Sequence, residues 1–298
     1  MAEVDTPHVA MLGGDERELI LAQALLERGM RLTLVGYPDL PQLAGAARAE
    51  SAAAAAAVAD VVVAPMSNTD EHGVIQACLD PRVRLVLDEA VFRAMGAGKT
   101  LFIGVAKPIV ERLAAKYQVR VVELAELDEI AILNSIPTAE GAIARAMSEL
   151  PITIHGSRAV VIGFGRCAIT LARMLGGIGA RVLVIARDRG QLARAREMGF
   201  DAGHLQNLPE HLREADVVFN TVPALVLDRP ALEALNREAL IIDIASAPGG
   251  TDFGAARELG IKAFLELGIP GKVAPKTAGA ILAQTVPDLI MAVYEERA

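Results

Sequence analysis

The stretch that decides the fold reads RAVVIGFGRCA at residues 158–168 and, after a helical segment, RVLVIARDR at residues 181–189. The apolar run Ala159–Ile162 leads directly into the glycine turn, and a second apolar run occupies Val182–Ala186. A strand, a glycine turn, a helix and a second strand in this order form the context that the dinucleotide-binding fingerprint requires. The sequence therefore predicts a Rossmann dinucleotide-binding domain here.

Three small residues of this turn have separate predicted tasks. Gly163 allows the tight turn, Gly165 lets the backbone approach a pyrophosphate, and Ala168 permits close packing of the helix on the strand. The helix N-terminus adds free N–H groups and a partial positive charge. The loop after the next central strand, at residues 220–223, faces the same edge of the sheet. The residues expected at the cofactor in these two loops are Gly163, Phe164, Gly165, Arg166, Cys167, Ala168, Asn220, Thr221, Val222 and Pro223.

The residue at the end of the second strand indicates which dinucleotide binds. NAD-specific sites usually place an Asp or Glu there to bind the ribose 2′-hydroxyl. This chain has Arg187 there, with Arg189 close by, and strand alternation turns the side chain of Asp188 the opposite way. A guanidinium can bind a 2′-phosphate through two hydrogen bonds. We therefore predict NADP as the cofactor; the alternative is that Arg187 is a solvated strand-end charge.

Composition and charge exclude several classes of function. The 298 residues suffice for two α/β domains, and the formal net charge of −8 leaves no electrostatic footprint for nucleic acid or an anionic membrane. No apolar run reaches transmembrane length, and the first residues lack the basic and apolar regions of a signal peptide. We therefore expect a cytoplasmic protein that binds neither nucleic acid nor membrane.

The cysteines and histidines indicate neither a disulfide nor a metal site. Cys78 and Cys167 form no CxxC motif, and the five histidines are scattered without ligand spacing. Cys167 follows Arg166 at a predicted helix N-terminus, where its thiol pKa could be lowered, but filling space beside the cofactor is the simpler interpretation. His155 lies at the amino end of the sheet, so we assign it no acid–base role.

The first half of the chain has its own alternation of strands and helices, which predicts a mostly parallel, doubly wound sheet. Its second glycine turn, Gly13-Gly14-Asp15, is interpreted as a turn beneath a substrate cleft rather than as a nucleotide site. Glu18 stands where the fingerprint needs a small residue, and Asp15 would repel a phosphate. The predicted strands are Val9–Leu12, Leu32–Val35, Val61–Ala64, Leu85–Leu87, Leu101–Val105 and Val119–Val122.

The chain is therefore expected to form two doubly wound α/β domains, the second a Rossmann domain, linked by a crossover helix. Thr138, after Pro137, is the candidate cap of that helix, and Pro287 is expected to split the last helical segment into two pieces. The predicted parts are an N-terminal substrate or partner domain at 1–135, the crossover helix at 136–151, the Rossmann domain at 152–275, and a C-terminal helix at 276–298 that returns to the first domain.

Five blocks of sequence outside the strands carry a family resemblance, and two of them, PGGTDF at 248–253 and APKTAG at 274–279, are more specific than the glycine fingerprint. The five blocks read NSIPTAEG at 134–141, TIHGS at 153–157, GFGR at 163–166, APGGTDF at 247–253 and IPGKVAPKTAG at 269–279. Together with the Gly13-Gly14-Asp15 start, they resemble the A subunits of dipicolinate synthase over essentially the whole chain.

That resemblance implies a spore-former enzyme in a branch of lysine-type, or diaminopimelate, metabolism. The implied reaction is NADP-dependent oxidation of dihydrodipicolinate, or of its hydroxylated tetrahydro precursor, to pyridine-2,6-dicarboxylate. The implied partner is a flavoprotein-like B subunit, and the implied location is the mother-cell cytoplasm. We also expect a homo-oligomer.

A substrate with two carboxylates needs a binding site that supplies cations or N–H donors, so the candidates are residues at the predicted cleft. Arg17 and Lys276 are the candidate cations, although a solvent-exposed helix-start lysine is an equal alternative for Lys276. Lys276, Thr277 and Glu140 are the catalytic candidates, and a structural first-turn Glu is the alternative for Glu140. The candidates for substrate binding are Asp15, Arg17, Ser67, Asn68, Asn134, Ser135 and Thr138.

Two other functions stay open. A D-2-hydroxyacid dehydrogenase shares the two-domain plan, but it uses a late histidine, and this chain has none after His211. A nucleotide-binding regulatory or scaffold subunit, with the chemistry in a partner, is the second alternative, because no acid–base pair stands out in the sequence.

Overall fold

The computed structural model describes residues 6–67, 69–75 and 79–297. Within them the chain divides into two compact units, each an α/β fold. Unit 1 comprises Met1–Ala131 with Ala274–Ala298, and unit 2 comprises Ile132–Val273. Each unit contains a six-stranded sheet whose strands pair in parallel, so the predicted doubly wound α/β fold class is confirmed.

The elements alternate regularly along the described chain. The strands are β1 His8–Leu12, β2 Arg31–Val35, β3 Ala47–Arg48, β4 Val61–Val63, β5 Val74–Ile75, β6 Leu85–Val86, β7 Thr100–Ile103, β8 Arg120–Glu123, β9 Arg158–Ile162, β10 Arg181–Ala186, β11 Asp201–His204, β12 Val217–Asn220, β13 Leu240–Asp243 and β14 Lys262–Leu265. The helices are α1 Glu16–Glu27, α2 Ala52–Val58, α3 Glu89–Met95, α4 Pro108–Tyr117, α5 Asp128–Glu149, α6 Arg166–Ile178, α7 Arg189–Glu197, α8 Leu208–Leu212, α9 Arg229–Ala234, α10 Phe253–Glu258, α11 Ile269–Val273 and α12 Pro275–Glu295.

The two sheets share one strand order. The order is β3-β2-β1-β4-β7-β8 in unit 1 and β11-β10-β9-β12-β13-β14 in unit 2. In both, the order reverses beside the first strand, between β1 and β4 and between β9 and β12. A doubly wound sheet opens a crevice for ligands at the carboxyl ends of the strands that flank this reversal. Each unit therefore has its own topological switch point.

The apolar strands account for the buried sheets. The strand segments Val61–Val63 and Leu240–Asp243 are buried along their whole length, as expected for parallel strands covered by helices on both faces. Burial of each large aliphatic side chain in such a core contributes about 1.5–3 kcal/mol. The packed core thus holds the carboxyl ends of these strands in fixed positions.

One predicted strand lies outside the main sheets. The run Leu85–Leu87 was expected to be a buried strand of the first domain, but Leu85–Val86 forms β6, which pairs antiparallel with β5 in a two-stranded sheet. Its apolar side chains still join the core of unit 1, since Leu85 and Leu87 are buried. Burial alone therefore did not distinguish this short hairpin from a central strand.

The helix predicted at 136–151 begins eight residues earlier than its first predicted residue. Helix α5 runs from Asp128 through Pro137 to Glu149, so Thr138 is an interior residue and not a cap. Its hydroxyl donates to the carbonyl of Asn134 one turn earlier, at 2.7 Å. Proline removes only its own N–H bond, and a long helix with tertiary packing tolerates that loss.

The last helix is also continuous where a break was predicted. Helix α12 contains Pro287 within its span and packs along α1 in unit 1. It is long and apolar enough to cross a membrane by length and composition, yet half of its most apolar window is buried inside the protein. Its apolar surface is therefore that of a core helix. Its contact with α1 is close, because a Cβ on Gly279 would lie 2.7 Å from Ile20 Cδ1.

We predict that Gly104→Ala strongly destabilises unit 1. Gly104 follows β7, and a Cβ there would lie 1.8 Å from the carbonyl oxygen of Met66, a backbone atom that cannot turn aside. We expect a loss of about 3 kcal/mol, measured by denaturant unfolding followed by circular dichroism. The control is Gly45→Ala, whose Cβ would make an ordinary 3.6 Å contact with Leu26. Equal stability of the two variants would contradict the predicted backbone clash.

Candidate functional site

The glycine turn of unit 2 lies at its switch point, at the end of β9. Gly163 has φ +98°, a conformation that favours glycine, and a Cβ there would lie 2.2 Å from Thr221 Oγ1. Thr221 follows β12, and its hydroxyl donates to the carbonyl of Ile162 at 2.8 Å. The two loops that flank the crevice are thus in direct contact, as the predicted role of Gly163 requires.

Gly165 leaves open space at the start of α6. It is the N-cap of that helix, and a Cβ built on it would meet no atom within 4 Å. A glycine cap offers no side-chain acceptor to the first N–H groups of the helix, and residues 166–169 carry no carboxylate. Other helices of unit 2 are capped by aspartate side chains, for example α7 by Asp188 and α9 by Asp228. The start of α6 is therefore suited to hold an external anion such as a pyrophosphate.

Two residues of the predicted cofactor loop face the core instead. The side chain of Phe164 is buried and meets Phe200 edge-on, with 6.4 Å between ring centroids. Ala168 is buried in the same apolar cluster, where its small size lets α6 lie close to the sheet. The ring of Phe164 therefore packs under the turn, and only the backbone of this residue is left to face a cofactor.

The hypothesis of an activated thiol at Cys167 was wrong. Burial raises the pKa of the Cys167 thiol to about 11, which keeps it protonated at neutral pH. Cys167 is a free cysteine. Its role is to fill space in the first turn of α6. Cys78 lies outside the described residues.

Arg187 lies at the end of β10, as predicted, and its side chain is exposed. The neighbouring carboxylate of Asp188 accepts from the backbone N–H of Gln191 at 2.8 Å and caps α7. That acid is thereby engaged in a local structural bond. His204 Nε2 lies 3.1 Å from the backbone oxygen of Arg187, which fixes the backbone and leaves the guanidinium facing solvent.

The loop after β12 is held by a residue that was predicted to touch the cofactor. Asn220 is fully buried, and its amide nitrogen donates to Val222 O and to Asp243 Oδ1, both at 3.0 Å. Its amide oxygen accepts from Val222 N at 3.1 Å. Since every polar atom of this side chain is used inside the protein, Asn220 shapes the loop and does not bind a ligand through its side chain. Val222 is partly buried and Pro223 is exposed.

Sequence reasoning missed Asp243, the centre of this region. It is paired with Asn220 in register on the neighbouring strand and is fully buried. Besides Asn220 it accepts from three donors of the loop that follows β13. These are Ala245 N at 3.1 Å, Gly250 N at 2.8 Å and Thr251 Oγ1 at 2.7 Å.

The block APGGTDF at residues 247–253 therefore folds around this buried carboxylate and donates hydrogen bonds to it. Gly249 has φ +83°, and a Cβ on Gly250 would lie 2.5 Å from the carbonyl oxygens of Val222 and Ala224. Thr251 donates to Asp243, and Asp252 caps α10 through Ala255 N. An acidic residue at the end of a buried strand, followed by paired glycines and a threonine, was the available signal.

In unit 1, the structure brings together three of the predicted substrate residues. Arg17 is buried and donates to Asp15 from Nε at 2.9 Å and from Nη2 at 2.7 Å. Its Nη2 also donates to Ser67 Oγ at 2.6 Å. Asp15 and Arg17 begin α1, and Ser67 follows β4, so these bonds bridge the switch point of unit 1. Asn68, the fourth candidate of this loop, lies outside the described residues.

Glu18 is the buried acid that sequence reasoning treated only as an obstacle to phosphate. Its Oε2 accepts from Asp15 N at 2.9 Å and its Oε1 accepts from Met66 N at 2.8 Å. Burial raises the pKa of Glu18 to about 7, and the charge of Asp15 adds to this, against the opposing effect of Arg17 and the two N–H bonds. Asp15 behaves oppositely: burial acts to raise its pKa, but bonding to Arg17 outweighs that and holds the pKa below its usual value.

This arrangement leaves little room for a phosphate at the first glycine turn. Asp15 and Glu18 form a capping box that satisfies the start of α1 from within the chain. A Cβ on Gly14, which has φ +130°, would lie 2.4 Å from Glu18 Cβ. The chain's own carboxylates, Asp15 and Glu18, take the positions at the start of α1 where a phosphate would otherwise bind.

The other predicted residues are dispersed. Ser135 is buried and bonds Thr170 of α6 at 2.6 Å between hydroxyl oxygens, so it joins two helices and was wrongly assigned to the substrate. Asn134 Oδ1 is buried without a hydrogen-bond partner among the described residues. Glu140 is exposed on α5, and Lys276 and Thr277 are exposed in the first turn of α12. The N-cap of α12 is Ala274, so Thr277 does not cap that helix.

Comparison with known proteins identifies both halves of the chain. Residues 8–125 match the family described as the N-terminal domain of the dipicolinate synthase A subunit. Residues 135–248 match the family described as D-isomer specific 2-hydroxyacid dehydrogenase, NAD binding domain. The second match agrees with the Rossmann prediction for unit 2 and indicates a nicotinamide dinucleotide cofactor.

Two relatives are similar over nearly the full length. The chain is 38% identical to the A subunit of dipicolinate synthase from Bacillus subtilis (strain 168), over 97% of each chain. It matches the crystal structure of the corresponding protein from Bacillus halodurans with TM-score 0.90 and 37% identity, over 95% of this chain and 97% of the other. The crystal structure of the Bacillus subtilis protein gives the same TM-score and identity over 99% of each chain.

We predict that Asp243→Ala destabilises unit 2 by about 3 kcal/mol or more, because four buried donors lose their acceptor at once. Denaturant unfolding measures the loss. The matched control is Asp201→Ala, which removes an exposed carboxylate from β11 of the same sheet. A loss no larger than that of the control would show that the loops are held by other contacts.

Proposed function

Because the chain belongs to the family of dipicolinate synthase A subunits, we propose that it oxidises dihydrodipicolinate, or its hydroxylated tetrahydro precursor, to pyridine-2,6-dicarboxylate with NADP as the cofactor. The observation that carries this proposal is that each unit has its own switch point and that the two differ in character. The turn in unit 2 is suited to a pyrophosphate, whereas the turn in unit 1 presents a buried Arg17.

In this proposal unit 2 is the NADP-binding domain. Gly163 gives the tight turn, Gly165 leaves room for the pyrophosphate, and the first N–H groups of α6 donate to it. The exposed guanidinium of Arg187 binds the 2′-phosphate, and the neighbouring Asp188 is engaged in capping α7. When bound, NADP⁺ supplies the hydride acceptor.

Unit 1 is proposed as the substrate domain. Arg17 and Ser67 provide a cation and a hydroxyl at its switch point, where a carboxylate of the substrate can accept from them. Asp15 holds the guanidinium by two bonds, so its orientation is set before a ligand arrives. The chain's task in the oxidation is to orient the ring and to accept one proton, since loss of a hydride and a proton makes the dihydropyridine ring aromatic. The hydroxylated tetrahydro precursor must also lose one molecule of water. The exposed Glu140 stays the candidate acceptor of that proton, and the exposed Lys276 and Thr277 stay catalytic candidates that can donate to a substrate carboxylate.

The family relationship also supports a partner. Since the relatives are A subunits of a synthase, we propose that the chain assembles with a flavoprotein-like B subunit. For the chain by itself, we propose a homo-oligomer. We propose a cytoplasmic location in the mother cell of a spore former.

The proposed function is tested by incubating the purified chain with NADP⁺ and freshly prepared substrate, with and without the B subunit, and recording NADPH absorbance. We expect NADPH formation in at least the mixture that contains both proteins. Formation only with the partner would indicate an obligate complex. Binding of NADPH without turnover in either mixture would reject the catalytic role and leave a nucleotide-binding regulatory subunit.

The choice of NADP is tested at the end of β10. We expect Arg187→Asp to weaken NADPH binding by about 1.5–3 kcal/mol, roughly tenfold or more, with a much smaller effect on NADH. Titration calorimetry with each nucleotide measures both affinities. Arg181→Asp is the matched control, because it makes the same charge change at the exposed amino end of the same strand. Equal losses for NADPH and NADH would show that Arg187 does not bind the phosphate.

A further inference from the structure

Glu18 connects the two loops that flank the switch point of unit 1. One oxygen accepts from Asp15 N at the start of α1, and the other accepts from Met66 N in the loop after β4. Ser67, the residue after Met66, accepts from Arg17 Nη2 at 2.6 Å. Glu18 is 1% exposed, so this bridge lies beneath the surface that Arg17 and Ser67 form. Removing it would release the loop that carries Ser67.

The surrounding backbone is shaped to admit this side chain. A Cβ on Gly14 would lie 2.4 Å from Glu18 Cβ, so only glycine fits over it. On the other side, a Cβ on Gly104 would lie 1.8 Å from the carbonyl oxygen of Met66, so the loop after β4 is pressed against the end of β7. Both loops are therefore closely packed around the residues that Glu18 connects.

The charges of this cluster do not balance when both acids are ionised. Arg17 is the cation whose charge lowers the pKa of Glu18, and Asp15 is a second carboxylate beside it. Helix α12 contacts the first turn of α1 through Gly279, which lies three residues after Lys276. The hydroxyl of Tyr37 donates to the backbone oxygen of Gly13 at 2.6 Å. With the two carboxylates and Arg17 charged, the net charge is −1, which opposes an anionic ligand.

We propose that Glu18 is a positioning residue of the substrate-carboxylate site and takes up a proton from solvent when an aromatic dicarboxylate binds beside Arg17. This inference rests on the proposed function, because it assumes that unit 1 binds the substrate. The only covalent change is the O–H bond that the Glu18 carboxylate forms with the proton. A neutral Glu18 keeps a carbonyl oxygen as acceptor and leaves Arg17 and Asp15 as a balanced pair, to which the ligand then adds its own charge.

The consequence is a definite pH dependence of ligand binding. Burial raises the pKa of Glu18 to about 7, so the carboxyl is neutral at lower pH and charged at higher pH. An added anion stabilises the protonated form, and by linkage the protonated form binds the anion more tightly. Affinity for a dicarboxylate should therefore be highest below neutrality and fall as the pH rises above it.

The experiment is titration calorimetry of the full chain with pyridine-2,6-dicarboxylate at neutral pH, in two buffers of different ionisation enthalpy. Wild type should take up a measurable fraction of a proton, and its affinity should fall by about tenfold when the pH is raised by one to two units, as a shift of one pKa unit requires. Glu18→Gln should take up no proton and lose that pH dependence. Glu16→Gln, an exposed acid in the same helical turn, is the matched control and should behave as wild type.

The outcomes separate this inference from the function on which it rests. If wild type binds no dicarboxylate at any pH, the proposed function fails and this inference fails with it. If wild type binds but Glu18→Gln retains the same proton uptake, only the role of Glu18 is overturned. If Glu18→Gln does not fold, the test is carbon-13 NMR of wild type with labelled glutamates. We expect one glutamate carboxyl to titrate near neutrality in the free protein and at higher pH with the ligand bound. An unchanged titration would reject the proposal.

Discussion

The structure depends on how the chain satisfies the free N–H groups of the helix that starts at each switch point. A helix leaves its first N–H groups without intrahelical partners, and they attract negative charge. In unit 1, the carboxylates of Asp15 and Glu18 accept these N–H groups from within the chain. In unit 2, the N-cap is Gly165, and residues 166–169 carry no carboxylate. One strand order thus produces two different sites through a few side chains.

Two buried carboxylates hold the loops at these sites. A buried charge is costly unless hydrogen bonds offset the loss of water. Asp243 accepts from two backbone N–H groups, a hydroxyl and an amide. Glu18 accepts from only two backbone N–H groups, which offset part of the cost, so burial still raises its pKa to about 7. Each acid therefore determines the shape of loops that the sheet alone would leave free. The rigid sheet sets where the loops begin, and the buried acids fix the conformation of the loops through hydrogen bonds.

Much of the fold could be predicted because parallel strands and their helices carry a strong apolar pattern. The turn Gly163–Gly165 could also be predicted, since its strand, helix and second strand are adjacent in sequence. Prolines misled the prediction: Pro137 and Pro287 lie within continuous helices, where packing offsets one lost hydrogen bond. Residues whose role depends on distant partners were missed or misassigned, among them Glu18, Asp243 and Ser135.

The sequence by itself determined the doubly wound class, the dinucleotide fingerprint and the family relationship, because these depend on local periodicity and on short blocks of residues. Only the tertiary structure decided which polar side chains meet one another and where in the fold they do so. Asn220 and Ser135 are bonded within the protein, whereas Arg17 and Ser67 meet across 50 positions of sequence at one crevice. The physical reason is that a hydrogen bond is set by distances between strand ends, which are defined only when the sheet has formed.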